Sequence, residues 1–344
     1  MLNKRQHNQK IFIRVDGSQD LGLGHVIRGL NLAKALKKEA QAKILLLFKN
    51  NLLVKRILDQ NMFDYLPLNG KNEELKLCSK NDLFITDSPI LTSRYLRQVK
   101  SKVGRLVSIY YGGKKMHYPV DILIDPNLNR PKTAVARGTR YYGGGKFVIL
   151  DERYISLFRK KNKLRRRVKK ILICFGGSDP NDITLTVARL LKGQKYSKLK
   201  KIIVVGSGYH NYKQLKKELL GSKNTVIKKA VADMASLMKD IDLAILSGGV
   251  LMHEAAVLGI PSIVICHNQE QNIEAEAFHN HGIVYNLGLC NSFSAKKLAS
   301  VLGKLLNSLS KRKQLFNNAR KFIDPYGTQR IVSIIKEKIE MTKA

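Results

Sequence analysis

The chain has 344 residues, 44% of them hydrophobic, which is enough for two domain-sized cores, since single cores rarely grow past about 250 to 300 residues. No apolar stretch approaches the roughly 18 to 20 residues of a membrane span, no apolar segment follows the N-terminal MLNKRQHNQK, and a cytoplasmic protein is expected. The net charge of +36 comes without any Trp or recognisable nucleic-acid motif, which argues against a nucleic-acid binder; it reads as a solvated basic surface or as peripheral contact with an anionic membrane, densest at residues 159–170.

Along the chain, short apolar runs alternate with longer amphipathic stretches. Strands are expected at residues 11–15, 43–48, 83–86, 105–109 and 121–124, with a helix at 26–37 and a turn at Asp87-Ser88-Pro89. Residues 127–146 break the rhythm with prolines and the triple glycine Gly143-Gly144-Gly145. It restarts with strands at 170–175, 201–205, 226–228, 243–246 and 262–266, and helices at 182–191, 212–220, 234–239, 251–258 and 273–279. This βαβ order predicts two parallel α/β domains joined by a basic linker, with ligand at the carboxyl ends of the strands, in the cleft between the domains.

Three constellations carry chemistry. In ILICFGGSDP, the apolar strand ends in Gly176, Gly177, Ser178 and Asp179. Such a turn either caps the next helix or offers free N–H groups at the positive end of its dipole to phosphate oxygens. In RVDGSQDLGLGHVIRGLNLAKAL, Gly22, Gly24 and His25 stand at the entrance of the first helix. The dinucleotide pattern G-x-G-x-x-G is absent there, and the helix dipole is expected to keep the imidazole neutral, hence a general base. In SGGVLMHEAAVLGIPSIVICHNQEQN, Gly248 and Gly249 open another helix, Glu254 can accept from a ribose diol, and Asn268, Gln269 and Gln271 suit sugar hydroxyls. Each piece also has a purely structural reading as turn or punctuation.

Cys78, Cys174, Cys266 and Cys290 are far apart and form no C-x-x-C, so they read as reduced core residues. His279 and His281, two apart on a helix, point to different faces, and no metal site is expected.

Five motifs in order, RVDGSQDLGLGHVIRGLNLAKAL, GTRYYGGGKFVILDERY, ILICFGGSDPNDITL, SGGVLMHEAAVLGIPS with HNQEQN, and IDPYGTQRIV, span nearly the whole chain. They resemble the nucleotide-sugar hydrolases of pseudaminic acid biosynthesis (UDP-2,4-diacetamido-2,4,6-trideoxy-β-L-altropyranose hydrolase) and related spore-coat polysaccharide biosynthesis proteins. These belong to the GT-B superfamily, with the peptidoglycan N-acetylglucosaminyltransferases. The resemblance implies an α/β GT-B fold of two Rossmann-like domains facing each other across a cleft. The implied boundaries are 1–155 for the sugar or acceptor domain, 156–170 for the linker, 171–323 for the nucleotide domain and 324–344 for a C-terminal helix returning to the N-terminal domain.

It further implies hydrolysis of a UDP-linked amino or deoxy sugar at the anomeric carbon, with glycosyl transfer to a membrane-associated acceptor as the alternative. His25 becomes the general base. Gly22 and Gly24 shape its loop, and Arg28 orients that loop or meets the phosphates. Gly176, Gly177 and Ser178 hold the diphosphate with Gly248 and Gly249, Glu254 takes the ribose, and Asn268 and Gln269 face the sugar. No metal or other cofactor is implied. Two departures fall in the N-terminal domain, where Asp87-Ser88-Pro89 replaces the family's Asp-His-Tyr and Tyr110-Tyr111 replaces Asp-Asp.

Overall fold

The computed structural model describes residues 9–18, 21–40, 42–109, 117–129, 135–160 and 164–340; Tyr110 and Tyr111 lie outside the described residues. The chain forms two compact units, one from the residues up to Asp151 together with those from Tyr326 onward, the other from Glu152–Pro325.

In the first unit, strands β1 (Lys10–Val15), β2 (Lys43–Lys49), β3 (Tyr65–Leu68), β4 (Leu83–Asp87), β5 (Arg105–Ile109), β6 (Ile122–Asp125) and β7 (Arg140–Gly143) form one parallel sheet. Its order is β3-β2-β1-β4-β5-β6-β7. Helices α1 (Gly24–Glu39), α2 (Leu52–Gln60) and α3 (Ser93–Lys102) belong to this unit. A parallel sheet with both faces covered needs apolar side chains on both, which is why β1 and β4 read as unbroken apolar runs. Ile11, Ile13 and Val15 pack with Val26, Leu30 and Ala33 of α1 on one face, while Phe12 and Phe84 pack with Leu96 and Val99 of α3 on the other.

The second unit begins with α4 (Arg153–Arg159) and holds a six-stranded parallel sheet of order β10-β9-β8-β11-β12-β13. Its strands are β8 (Lys170–Cys174), β9 (Lys200–Val205), β10 (Thr225–Lys229), β11 (Leu243–Leu246), β12 (Ser262–Cys266) and β13 (Val284–Leu289). Its further helices are α5 (Ile183–Leu191), α6 (Tyr212–Glu218), α7 (Met234–Met238), α8 (Val250–Val257), α9 (Gln269–Asn280), α10 (Ala295–Asn307) and α11 (Leu309–Phe322).

Helix α12 (Gly327–Glu340) belongs to the first unit, where Ile331, Val332 and Ile335 join the core beside α1. Thr328 Oγ1 donates to the Leu150 carbonyl at 2.8 Å and accepts from the Leu150 N–H at 3.0 Å. A Cβ at Gly327 would lie 2.2 Å from the Val148 oxygen. The IDPYGTQRIV motif is therefore accounted for by packing at the point where the chain returns.

Three local differences from the sequence reading have physical causes. The break expected at 127–146 contains β7, a four-residue edge strand too short and too exposed to show a period. Helices α2, α3, α10 and α11 were not expected. They are marked less by apolar runs than by the side-chain caps of Asn51, Thr92, Ser294 and Ser308. The basic run 159–170 is not a free linker where it is described. Arg165 pairs with Asp242 at 2.9 Å, the same carboxylate accepts from the N–H groups of Lys169 and Lys170, and buried Arg312 donates to the carbonyls of Arg165 and Arg166. Among the described residues, no helix is long and apolar enough to cross a membrane.

Candidate active site

In both sheets the strand order reverses beside the first strand of the unit, between β1 and β4 and between β8 and β11. Ligands of open α/β sheets gather at such a switch point, at the carboxyl ends of the strands. The candidate residues lie there in each unit.

In the first unit, α1 is pressed against β1 because a residue of its second turn is a glycine; a Cβ on Gly29 would sit 2.3 Å from Val15 Cγ1. Gly22, at φ +74°, takes a left-handed conformation just before the helix, and Ser18 N–H donates to its carbonyl at 3.3 Å. His25 is thereby placed in the first turn of α1, 4% exposed, with Nδ1 2.7 Å from Asp87 Oδ1 at the end of β4. Arg28, one turn further along α1, donates from Nε to Asp87 Oδ2 at 2.9 Å and from its amino group to Oδ1 at 2.7 Å. The same amino group is 2.9 Å from His25 Nδ1.

This arrangement favours one tautomer. Burial by itself would raise the Asp87 carboxyl, but Arg28 and His25 together outweigh it and hold the group at about 2. Asp87 is thus ionised at neutral pH and can only accept hydrogen bonds, which favours a proton on the ring nitrogen 2.7 Å away, while the Arg28 amino group finds its nearer acceptor in Asp87 Oδ1. With Nδ1 protonated, the basic lone pair of the neutral ring is on Nε2. The sequence reading considered only the helix dipole beside this ring; the structure adds a carboxylate from another strand, 2.7 Å from Nδ1.

Beneath this group runs a buried ion network. Arg14 chelates Asp16 at 3.0 and 3.1 Å and reaches Glu74 at 3.2 Å, Tyr95 donates to Glu74 at 2.5 Å, and Ser88 donates to Asp16 at 2.6 Å. Ser88, which departs from the family pattern, here fastens the end of β4 to the end of β1.

In the second unit, the turns after β8, β11 and β12 converge. Gly176 adopts φ +93°, and a Cβ there would lie 4.0 Å from Ser247 Oγ, so the first two turns touch. A Cβ on Gly206 would fall 2.1 Å from the Gly177 oxygen, so the loop after β9 seals the first turn from behind. His267, after β12, fixes the third: its ring Nε2–H donates to the Phe175 carbonyl at 2.8 Å, which leaves Nδ1 to accept from Asn181 at 3.2 Å.

The expectation of free N–H groups at the start of α5 is not met. Asp179 folds back and accepts from Ile183 N–H at 3.0 Å and Thr184 N–H at 2.8 Å. Burial raises this carboxyl, and those hydrogen bonds oppose the shift. The glycine turn thus caps α5 with its own carboxyl group. At α8 the cap residue is Gly249, which has no side chain with which to cap, and Ser247 and Glu254 are buried nearby on the same element and its approach. Gly248 must be a glycine because a Cβ would meet the Gln271 carbonyl at 2.8 Å and Cys266 Sγ at 2.9 Å. The start of α5 is thus capped by Asp179, while the cap position of α8 is a glycine.

Asn268 serves as the cap of α9, accepting from Gln271 N–H at 3.0 Å, and Gln269 is exposed at the helix start. The amide beside the α8 turn is instead Gln271, whose Oε1 accepts from His267 N–H at 3.0 Å and whose Nε2 would lie 3.9 Å from a Cβ on Gly249. Asp87 and His267 are the residues that the sequence reading gave no role in the site, while Gln271 and Asp179 were named there without the contacts described here. For Asp87 the available signal was an acidic residue ending the apolar run of β4. Burial pushes the Cys174 and Cys266 thiols up to about 12, so neither acts as a nucleophile near pH 7. Among the described residues, no cluster of three His, Cys, Asp or Glu side chains is arranged to hold a metal ion.

Two switch-point sites on two parallel sheets define a GT-B, glycosyltransferase-like protein. Residues 171–337 match the glycosyltransferase family 28 C-terminal domain. The chain is 25% identical to the spore coat polysaccharide biosynthesis protein SpsG of Bacillus subtilis, over 95% of this chain and 98% of that protein. It is 24% identical to the UDP-2,4-diacetamido-2,4,6-trideoxy-beta-L-altropyranose hydrolase of Campylobacter jejuni, over 77% of this chain and 94% of that one. Among solved structures, MurG of Acinetobacter baumannii superimposes with a TM-score of 0.65 at 15% identity, covering 96% of this chain and 99% of that chain. These similarities agree with the resemblance that the motifs carry, and the structural one shows the GT-B fold.

Proposed function

We propose that the chain hydrolyses a UDP-linked amino or deoxy sugar at its anomeric carbon, in the biosynthesis of a surface polysaccharide or nonulosonic acid. The observation that carries this reading is the His25–Asp87 pair at 2.7 Å; with Nδ1 donating to the carboxylate, the basic lone pair falls on Nε2. Similarity along most of the chain to a nucleotide-sugar hydrolase supports the substrate class.

In this reaction His25 Nε2 takes a proton from water as the oxygen attacks the anomeric carbon. The bond from that carbon to the β-phosphate oxygen breaks, and its electron pair leaves with UDP. The N–H groups opening α8, beside Gly248 and Gly249, offset the charge on the departing diphosphate without a metal. Glu254 accepts from the ribose hydroxyls, and Gln271 joins Asn268 and Gln269 as the amides offered to the sugar. Asp87 remains ionised throughout and stabilises the imidazolium formed during attack.

Glycosyl transfer is the second reading, favoured by the family 28 C-terminal domain and by the loss of the family's tyrosine at Pro89. There the same lone pair would deprotonate an acceptor hydroxyl, and the basic surface would meet an anionic membrane. Incubating the protein with a panel of UDP- and CMP-sugars in ¹⁸O-water separates the two. Free sugar labelled at its anomeric oxygen is expected; no sugar released unless an acceptor is added would sink the hydrolase. His25→Ala should abolish turnover and leave UDP affinity within about threefold of the parent.

A further inference from the structure

Arg28 turns its guanidinium toward Asp87, with one amino group also 2.9 Å from His25 Nδ1. Two of its nitrogens chelate both carboxylate oxygens at 2.7 and 2.9 Å, and its side chain is 13% exposed against 2% for Asp87. The charged groups that face Asp87 are His25 and Arg28, both from α1. Asp16, at the end of neighbouring β1, is turned to Arg14, Ser88 and the Lys49 N–H.

An ionised carboxylate buried this deeply is costly unless a cation pairs with it. Without Arg28, burial would drive Asp87 toward its protonated form, and a protonated carboxyl is a donor. It would then give its hydrogen to His25 Nδ1, and the ring proton would move to Nε2. The imidazole would remain in place, but its lone pair would face Asp87 instead of the substrate.

We propose that Arg28 is a positioning residue that acts through Asp87: by keeping that carboxylate ionised and oriented, it holds His25 in the tautomer with Nδ1 protonated. This rests on the reading of His25 as the base only for its catalytic consequence. The tautomer itself is a property of the resting protein and is measurable without turnover. The assignment also separates Arg28 from direct phosphate binding, the other role its place on the first turn suggested.

The test uses the full chain with ¹⁵N-histidine and ¹³C-carboxyl aspartate, the His25 and Asp87 signals being assigned with His25→Gln and Asp87→Asn. In the parent, His25 should show the nitrogen shifts of a ring protonated at Nδ1, with Asp87 ionised throughout the neutral range. In Arg28→Gln, the Asp87 carboxyl should stay protonated to higher pH and the His25 shifts should move toward the form protonated at Nε2. With a UDP-sugar that the parent turns over, kcat should fall about 100-fold or more while KM changes less than about threefold. Arg28→Lys, which keeps the cation, should restore the parental nitrogen shifts and much of kcat.

Unchanged histidine and aspartate signals in Arg28→Gln, or a loss confined to KM and UDP affinity, would overturn the assignment in favour of a phosphate contact. A tautomer change with kcat intact would uphold the assignment and instead remove His25 as the base. Should Arg28→Gln fail to fold, the lysine variant and the parental Asp87 titration still decide. A parental Asp87 that titrates near the ordinary carboxylate value, or a lysine variant whose histidine signals match neither form expected here, overturns the proposal.

Discussion

Replacing Asp87 with asparagine removes the one charge that α1 and β4 hold in common, and the size of the effect follows from the site. The carboxyl is fully buried, yet its pairing with Arg28 and His25 lowers it from the ordinary 3.8 to about 2. A shift of that size corresponds to about 2 kcal/mol of folding stability. Because the folded value is depressed, this contribution is complete above the unfolded value near 4 and is lost as pH falls through the folded value near 2. Urea unfolding of the parent and of Asp87→Asn, followed by far-ultraviolet circular dichroism between pH 5 and pH 2, isolates it, since the other carboxylates are common to both chains. The stability difference should be largest at pH 5 and shrink by about 2 kcal/mol by pH 2. A difference that stays constant across this window refutes the claim that Asp87 is ionised and ion-paired in the folded chain.

Three further substitutions test other parts of the structure. Gly29→Ala would place a methyl 2.3 Å from Val15 Cγ1; despite alanine's better helix propensity, it should cost about 1 to 3 kcal/mol and reduce kcat by lifting His25 and Arg28 from β4, as read by urea unfolding and steady-state kinetics. Gly249→Asp would supply α8 with the carboxylate cap it lacks, and calorimetry should show UDP affinity down at least about tenfold with the fold retained; unchanged affinity would return the diphosphate to the Gly176 turn. Arg312→Ala would remove the donors to four carbonyls, those of Leu305, Leu306, Arg165 and Arg166, and should destabilise the second unit by about 2 to 4 kcal/mol in thermal unfolding.

Much of the fold was legible because its signals are local. Strands buried on both faces, such as β1, β8 and β12, leave unbroken apolar runs, and the turns after them need glycine where the backbone goes left-handed or another chain segment approaches. Gly176 and Gly248 are of this kind, at φ +93° and against the Gln271 carbonyl respectively. Edge strand β7 was not legible because it is short and partly exposed, whereas α2, α3 and α10 do carry helical spacing, as at Leu298, Leu302 and Leu305, and were passed over. In the site, His25 was marked by its G-x-G-H loop. Asp87 was passed over because its two neighbours depart from the family pattern. The retained aspartate is the residue that touches the imidazole.

The sequence by itself determined the parallel α/β architecture and located both glycine turns, since hydrophobic run length and backbone permissiveness are properties of consecutive residues. Only the tertiary structure decided which groups meet. His25 and Asp87 are 62 residues apart and become partners because β4 lies directly beside β1 in the sheet. Likewise, two helices open after a glycine turn, but at α5 the turn's own Asp179 takes the N–H groups while the cap residue of α8, Gly249, has no side chain to do so. The direction in which a side chain folds back, and the strand it folds toward, are set by packing between segments distant in sequence, which no run of consecutive residues encodes.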